Sequence, residues 1–311
     1  MDAAIECMDL VKNFKDLIAV NRISIAVKPG EVFGVVGPDG AGKTTLIRML
    51  CGILDPTSGT ATVLGAKIPD QVDKVVSDLG YMSQRFSLYG DLTVAENIRF
   101  FADIHEVPRK ELADRMKKLL AASRLEAFQT RRAEDLSGGM KQKLALVCTL
   151  VHTPKVLFLD EPTTGVDPIS RREFWQILYG LVADGMTLFV STPYMDEADR
   201  CQRLALMNKG SLLMCDSPAN LRKSMKRRVI EVFSPDPRKA EVRLETCKGV
   251  TAVEAFGQRL HATALPGTDP AGIRAELEAD GIGITEVRVV APSLEDAFIA
   301  ALEEGEKIAR V

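Results

Sequence analysis

Apolar positions alternate with polar ones in short runs near the start of the chain, then recur at helical spacing further on. Ile5 to Leu10, Arg22 to Val27 and Glu31 to Val36 are β-branched and partly alternating, which predicts strands, with Lys28-Pro29-Gly30 as a turn between the last two. Lys43 to Leu50 follows with helical spacing. From Thr93 to about Ser123 apolar residues such as Leu112, Met116, Leu119 and Leu120 recur three and four apart between charges, which predicts a helical insert. Val156 to Leu159 then reads as a buried strand, Arg171 to Ala183 as a helix and Thr187 to Val190 as a strand. Such alternation predicts an α/β fold, a parallel sheet with helices on both faces.

Beyond Met225 the pattern changes. The basic run Arg222, Lys223, Lys226, Arg227, Arg228 closes the first unit. Strand-like Val229 to Phe233, Val250 to Phe256, Arg259 to Ala264 and Thr285 to Val290 then alternate with helix-like Pro237 to Cys247 and Pro270 to Ala279. A last helix spans Ser293 to Glu304, with Ser293 as its N-cap. The expected domains are 1–228, with the insert at about 93–150, and a small β/α accessory domain at 229–311.

Composition narrows the function. With 311 residues and 46% hydrophobic content the chain can bury a full core, and a formal charge of −3 gives no general reason to expect nucleic-acid binding. The acidic residues in MDAAIECMDL stand where a secretory signal has a basic region, so a cytosolic chain is expected. No apolar run approaches the roughly 20 residues that cross a bilayer, so any pore must be another polypeptide. Six cysteines without a CxxC pair and three scattered histidines lack metal-ligand spacing, and read as reduced structural thiols and isolated rings.

Three motifs carry chemistry. Gly37-Pro38-Asp39-Gly40-Ala41-Gly42-Lys43-Thr44 lies between a predicted strand and a predicted helix, the context a phosphate loop requires. Its glycines let successive N–H groups turn toward phosphates, Lys43 supplies a cation, Thr44 a hydroxyl for Mg²⁺, and the helix its positive end. Asp160 and Glu161 end an apolar strand, where an acidic pair can hold a metal ion and a water. Leu136-Ser137-Gly138-Gly139-Met140 opens a helix as a second phosphate-binding device, although a plain helix-capping turn would look the same in isolation.

One bound ATP needs only one such device, and the combination strongly resembles the nucleotide-binding subunit of the ATP-binding cassette (ABC) family. That resemblance implies a phosphate-loop cassette with an antiparallel β subdomain, and two subunits that sandwich ATP and Mg²⁺. It implies that Gly37 through Thr45 hold the phosphates, that Ser137, Gly138 and Gly139 meet ATP bound to the opposite subunit, and that Asp160 holds the Mg²⁺ hydration shell with Thr44 and Gln84. Glu161 then polarises the attacking water, with Gln84 and Lys43 beside it, Phe14 stacks on adenine, and Asp167 belongs to a loop crossing the dimer interface. Plainer readings are a core phenylalanine for Phe14, a surface glutamine for Gln84 and a helix N-cap for Asp167.

One departure matters. After Ser191-Thr192 the family places a histidine that bonds the γ-phosphate; this chain has Pro193, which has neither side-chain donor nor N–H. Losing one such donor typically costs about a hundred- to a thousand-fold in rate, with Ser191 or Thr192 as partial substitutes. A weak site of its own, and pairing with a different cassette, follow as expectations, beside a slow homodimer.

Tyr81-Met82-Ser83-Gln84 with Phe86-Ser87-Leu88-Tyr89, the run Gly165 to Arg172 and the tail Pro292 to Phe298 resemble bacterial multidrug or antibiotic exporters of ABC-2 type. The resemblance implies a separate membrane permease that selects the cargo, and a peripheral position on the cytoplasmic membrane face. Alternatives are a nucleotide-binding regulatory subunit with little turnover, and a soluble ABC ATPase outside transport. Against the latter, only one phosphate loop occurs, and the stretch from Thr44 to Leu136 has no sustained heptads.

Overall fold

The computed structural model describes residues 3–85 and 88–309, and the chain divides into two compact units, Met1–Cys215 and Asp216–Val311. Phe86 and Ser87, quoted above for the exporter branch, lie outside the described residues.

The first unit runs β1 (Ile5–Phe14), β2 (Leu17–Val27), β3 (Val32–Val36), α1 (Lys43–Leu50), β4 (Ser58–Val63), β5 (Ala66–Ile68), β6 (Leu79–Met82), α2 (Val94–Ile104), α3 (Arg109–Ser123), α4 (Gly138–Leu150), β7 (Val156–Asp160), α5 (Pro168–Ala183), β8 (Thr187–Thr192), α6 (Met195–Ala198), β9 (Arg203–Asn208) and β10 (Ser211–Asp216). Its strands form an antiparallel sheet, β2-β1-β4-β5, and a six-stranded sheet, β10-β9-β3-β8-β7-β6. In the larger sheet β6, β7, β8, β3 and β9 pair in parallel, with Leu159 opposite Val190 and Val36 opposite Thr192.

Every residue of β3, β7 and β8 is buried, as a parallel sheet covered on both faces requires. Phe33, Val35, Phe158 and Phe189 join the core shared with α1 and the antiparallel sheet, while Leu157, Leu159, Leu188 and Val190 pack with Phe174, Trp175 and Leu178 of α5. Each large side chain so buried contributes about 1.5–3 kcal/mol, which holds the loops at the strand ends in fixed positions.

The helical insert expected from Thr93 consists of two helices before α4. Thr93 and Glu96 form a capping box at the start of α2, with Thr93 N donating to Glu96 Oε2 at 2.8 Å. Pro108, which cannot continue a helix, separates α2 from α3. Ile98, Leu120, Leu144 and Val147 join α2, α3 and α4 into one core. Periodicity did not flag β4, β5, β9 or β10; β9 (RLALMN) lacks β-branched residues and alternation, and its place between β3 and β10 makes it a strand.

The second unit contains α7 (Pro218–Ser224), β11 (Arg228–Phe233), α8 (Pro237–Leu244), β12 (Val250–Phe256), β13 (Arg259–Ala264), α9 (Pro270–Ala279), β14 (Glu286–Val290) and α10 (Leu294–Ala309). From β11 to β14 this is a β-α-β-β-α-β unit with antiparallel pairs in the order β12-β13-β11-β14. Ile230, Val232, Leu260 and Ala262 pack with Leu244 of α8 and Ile273 and Leu277 of α9. Glu231 points to the other face; burial works against its charge, yet Arg288 and His261 hold its carboxyl below the usual range. Ser293 Oγ accepts from Asp296 N at 3.1 Å, the cap expected there, although α10 continues beyond Glu304 to Ala309. The basic helix α7 packs against α10, so the structure counts it with the second unit, whereas the sequence placed the change after Arg228.

Candidate functional site

The loop from Gly37 to Gly42 connects β3 to α1. Gly42 caps α1 in the left-handed region, φ 98°, where a Cβ would run into the Ala19 carbonyl; at Gly37 a Cβ would run into that of Met207, whereas Gly40 faces open space at φ 79°. The first turn of α1 carries no acidic side chain, leaving its N–H groups and positive end to an anion.

Lys43 Nζ donates to the carbonyls of Gly37 at 2.7 Å and Pro38 at 3.0 Å, and meets Glu161 Oε1 at 3.1 Å. Glu161 Oε2 accepts from Gln84 Nε2 at 3.0 Å, so one carboxylate joins the phosphate loop to the segment after β6. Its backbone lies at φ 49°, a strained setting for a residue with a Cβ, held by Glu161 N donating to Ser191 Oγ at 3.0 Å.

Asp160 is completely buried at the end of β7. Its Oδ1 accepts from Thr44 Oγ1 at 3.0 Å and Ser191 Oγ at 2.7 Å, while Oδ2 is buried with no hydrogen-bond partner. Burial raises its pKa, the Ser191 and Thr44 hydrogen bonds oppose that rise, and Glu161 adds to it. A buried carboxylate oxygen without a donor beside a threonine hydroxyl fits a hard divalent cation such as Mg²⁺. Among the described residues no group of three His, Cys, Asp or Glu side chains could hold a metal ion.

One cleft of about 530 Å³ gathers Phe14, Asp39, Gly40, Ala41, Gly42, Lys43, Thr44, Thr45, Gln84 and Glu161. Phe14 is 44% exposed, which excludes the core reading, and Lys12 Nζ lies 5.2 Å from its ring centroid. Leu17, Ile18 and Ala19 extend the apolar end around it. Lys209 also lines the cleft, and sequence reasoning missed it; the only signal was a Lys-Gly turn after an apolar run.

Ser137, Gly138, Gly139 and Asp167 do not line that cleft. Ser137 caps α4, accepting from Met140 N at 3.4 Å, and Asp167 caps α5, accepting from the N–H groups of Ile169 and Ser170. The two caps are neighbours: a Cβ on Gly139 would sit 2.5 Å from Ser170 Oγ. Lys143 of α4 and Glu173 of α5 bridge at 3.0 Å further along the same pair of helices.

Neither proposed substitute for the missing imidazole is free. Ser191 Oγ donates to Asp160, and Thr192 Oγ1 donates to the buried carboxylate of Glu197 at 2.7 Å while accepting from Tyr194 N at 3.0 Å. Glu197 also accepts from Thr163 and faces Arg171, whose guanidinium covers the Tyr194 ring at 4.3 Å. The loop at Pro193 is therefore braced on both sides. The cysteines are free thiols, and burial pushes Cys201 up to about 12, far from a reactive thiolate.

Residues 20–164 match the family described as ABC transporter, and residues 217–302 match the ATP-binding protein DrrA1-3-like C-terminal domain. The chain is 43% identical over 221 residues to a probable multidrug ABC transporter ATP-binding protein, YbhF, of Escherichia coli K12, covering 71% of this chain and 38% of that protein. It is 36% identical to the Nod factor export ATP-binding protein I of Rhizobium leguminosarum bv. viciae, over 95% of this chain and 94% of that one. A dimeric, post-hydrolysis structure of the ATP-binding cassette MJ0796 with ADP and Pi superposes with a TM-score of 0.63 at 25% identity, covering 68% of this chain and 98% of that chain. Among the described residues no helix is long and apolar enough to cross a membrane. Likeness of this extent, on a fold whose loops assemble that cleft, makes the chain a member of the ABC transporter family of ATP-binding proteins.

Proposed function

We propose that this chain is the ATP-hydrolysing subunit of an ABC-2 type exporter, which closes with a second cassette around ATP and drives a separate permease on the cytoplasmic face of the membrane. One observation carries the reading. The Ser137 turn and the Asp167 loop stand side by side, yet outside the cleft that gathers Lys43, Gln84 and Glu161, so they suit a nucleotide held by another subunit.

An incoming triphosphate competes with Glu161 for the Lys43 ammonium. The carboxylate so released can accept a proton from an attacking water as the water oxygen bonds to the γ-phosphorus and the bond from that phosphorus to the bridging oxygen breaks, releasing ADP and phosphate. Gln84 keeps Glu161 aimed through its amide. Thr44 Oγ1 and Asp160 would hold Mg²⁺, which when bound neutralises phosphate charge. Phe14 offers a ring face to a purine with little selectivity between bases.

The dimeric ADP-bound cassette supports paired subunits, and the names of the bacterial relatives support export, with cargo chosen by the permease. Because Ser191 and Thr192 are engaged elsewhere, we propose slow turnover at this chain's own phosphate loop and full service to a partner's site. The same observation favours a second reading, a regulatory subunit that binds ATP with little hydrolysis.

Single-turnover hydrolysis by the purified chain separates the two readings. For the transport assignment, Glu161→Gln should run as a dimer on size exclusion with ATP and Mg²⁺, and the wild-type chain should copurify with a polytopic membrane protein. A variant that stays monomeric and a chain that brings down no membrane protein would together remove the proposal.

A further inference from the structure

We propose that Lys209 is a second nucleotide-binding cation, placed for the ribose and α-phosphate end of ATP rather than for the γ-phosphate. The inference rests on the ATP reading given above. Among the described residues two lysines line the cleft, Lys43 and Lys209. Lys43 is engaged by two loop carbonyls and Glu161. Lys209, an exposed residue on the lining of the cleft, makes no side-chain hydrogen bond or ion pair among the described residues, so its charge is uncommitted beside a cleft suited to an anion.

Its backbone gives an independent argument. Lys209 adopts φ 46°, a left-handed conformation in which glycine or asparagine is the easier choice, yet a lysine occupies it. The turn is fastened on both sides: Gly210 N donates to Ala41 O at 3.1 Å and Gly210 O accepts from Asn21 N at 2.8 Å. A Cβ on Gly210 would sit 2.9 Å from Ile18 O, so the hairpin between β9 and β10 is pressed onto β2. Lys209 is thereby held on the side of Ile18, Ala19 and Ala41, while Gln84 and Glu161 occupy the hydrolytic end. A nucleotide lying from Phe14 to Lys43 passes its ribose and α-phosphate between these ends, and those groups are common to ATP and ADP.

The test is a calorimetric titration of the full chain with MgATP, MgADP and adenosine, using wild type, Lys209→Gly, Lys209→Arg and Lys43→Ala. Lys209→Gly should bind ATP and ADP more weakly by a similar factor of about tenfold, the scale of one charge-assisted hydrogen bond in an open cleft, with adenosine unchanged. The difference from wild type should shrink as salt is raised. Since glycine enters this φ freely, Lys209→Gly should melt no lower than wild type, which separates lost binding from lost folding. Lys209→Arg should retain most of the affinity. ATP and ADP affinities of Lys209→Gly within about twofold of wild type, or a loss confined to ATP, overturns the proposal. Normal ATP binding by Lys43→Ala would instead overturn the phosphate-loop reading beneath it.

Discussion

Lys43 Nζ and Glu161 Oε1 meet at 3.1 Å, with the two side chains 3% and 6% exposed. The pair joins the start of α1 to the end of β7, so the group expected to grip phosphate and the group expected to activate water are coupled before either acts. Two charges this deeply buried are costly to separate, since each has lost hydration and the neutral partners that remain, the Gly37 and Pro38 carbonyls for Lys43 and the Gln84 amide for Glu161, do not replace an opposite charge.

Lys43→Ala should therefore do two things. ATP affinity should fall by about a hundredfold or more, because the loop loses its only side-chain cation. Stability should fall by about 3–5 kcal/mol, because Glu161 is left buried without its cation. Adding Glu161→Gln should recover most of the stability and none of the affinity. Calorimetry and chemical denaturation on the three variants decide it; equal stability of Lys43→Ala and wild type would show that solvent reaches Glu161.

Pro193→His should raise turnover at this chain's own phosphate loop by up to about a hundredfold, in kcat rather than in ATP affinity, since the missing donor matters most as charge develops. The ring must be aimed from a strand end where Thr192 stays bonded to Glu197 and Tyr194. Steady-state ATPase should be compared with and without any cassette encoded alongside. No gain in either setting points to a site kept for binding.

Gly139→Ala should reduce ATPase activity by about a hundredfold while leaving ATP affinity of the isolated chain unchanged, because misplacing a loop by about an ångström is enough to spoil an assembled site. The new methyl would press on Ser170, whose Cβ lies 2.6 Å away, and displace the Ser137 turn from the Asp167 loop. Ser170→Gly in the same chain should restore much of the activity. Full activity in Gly139→Ala alone would mean that the contact can yield.

His105 and His152 stack with ring centroids 3.8 Å apart and planes 13° apart. Burial lowers both pKa values; the His152 charge adds to the effect at His105, and Arg115 adds to it at His152. His152 Nε2 donates to Leu79 O at 2.9 Å, while Nδ1 is buried with no partner for a second proton. The unfolded chain thus binds protons more readily than the folded one. Stability should be full above the ordinary histidine value of 6.5 and decline as the pH falls through it toward the lowered folded values. His152→Gln should narrow the gap in melting temperature between about pH 8 and about pH 5.5. An unchanged gap would assign the acid sensitivity to other groups.

The sequence by itself determined what depends on local backbone chemistry. The phosphate loop was legible because Gly37 and Gly42 occupy positions a Cβ would block, and α1 because Lys43 to Leu50 carries its own period. The second unit was nearly complete in the sequence, since β12, β13 and α9 are alternating or capped segments bounded by turns. Tertiary structure alone decided which groups meet. It gave Lys43 to Glu161, committed Ser191 to Asp160 and Thr192 to Glu197, set Gly139 under Ser170, and brought Lys209 to the cleft on a turn whose strand, β9, has no signature of its own. Those pairings join residues far apart in the chain; hydrophobic periodicity reports which side of an element is buried, whereas sheet order and packing decide what that side faces.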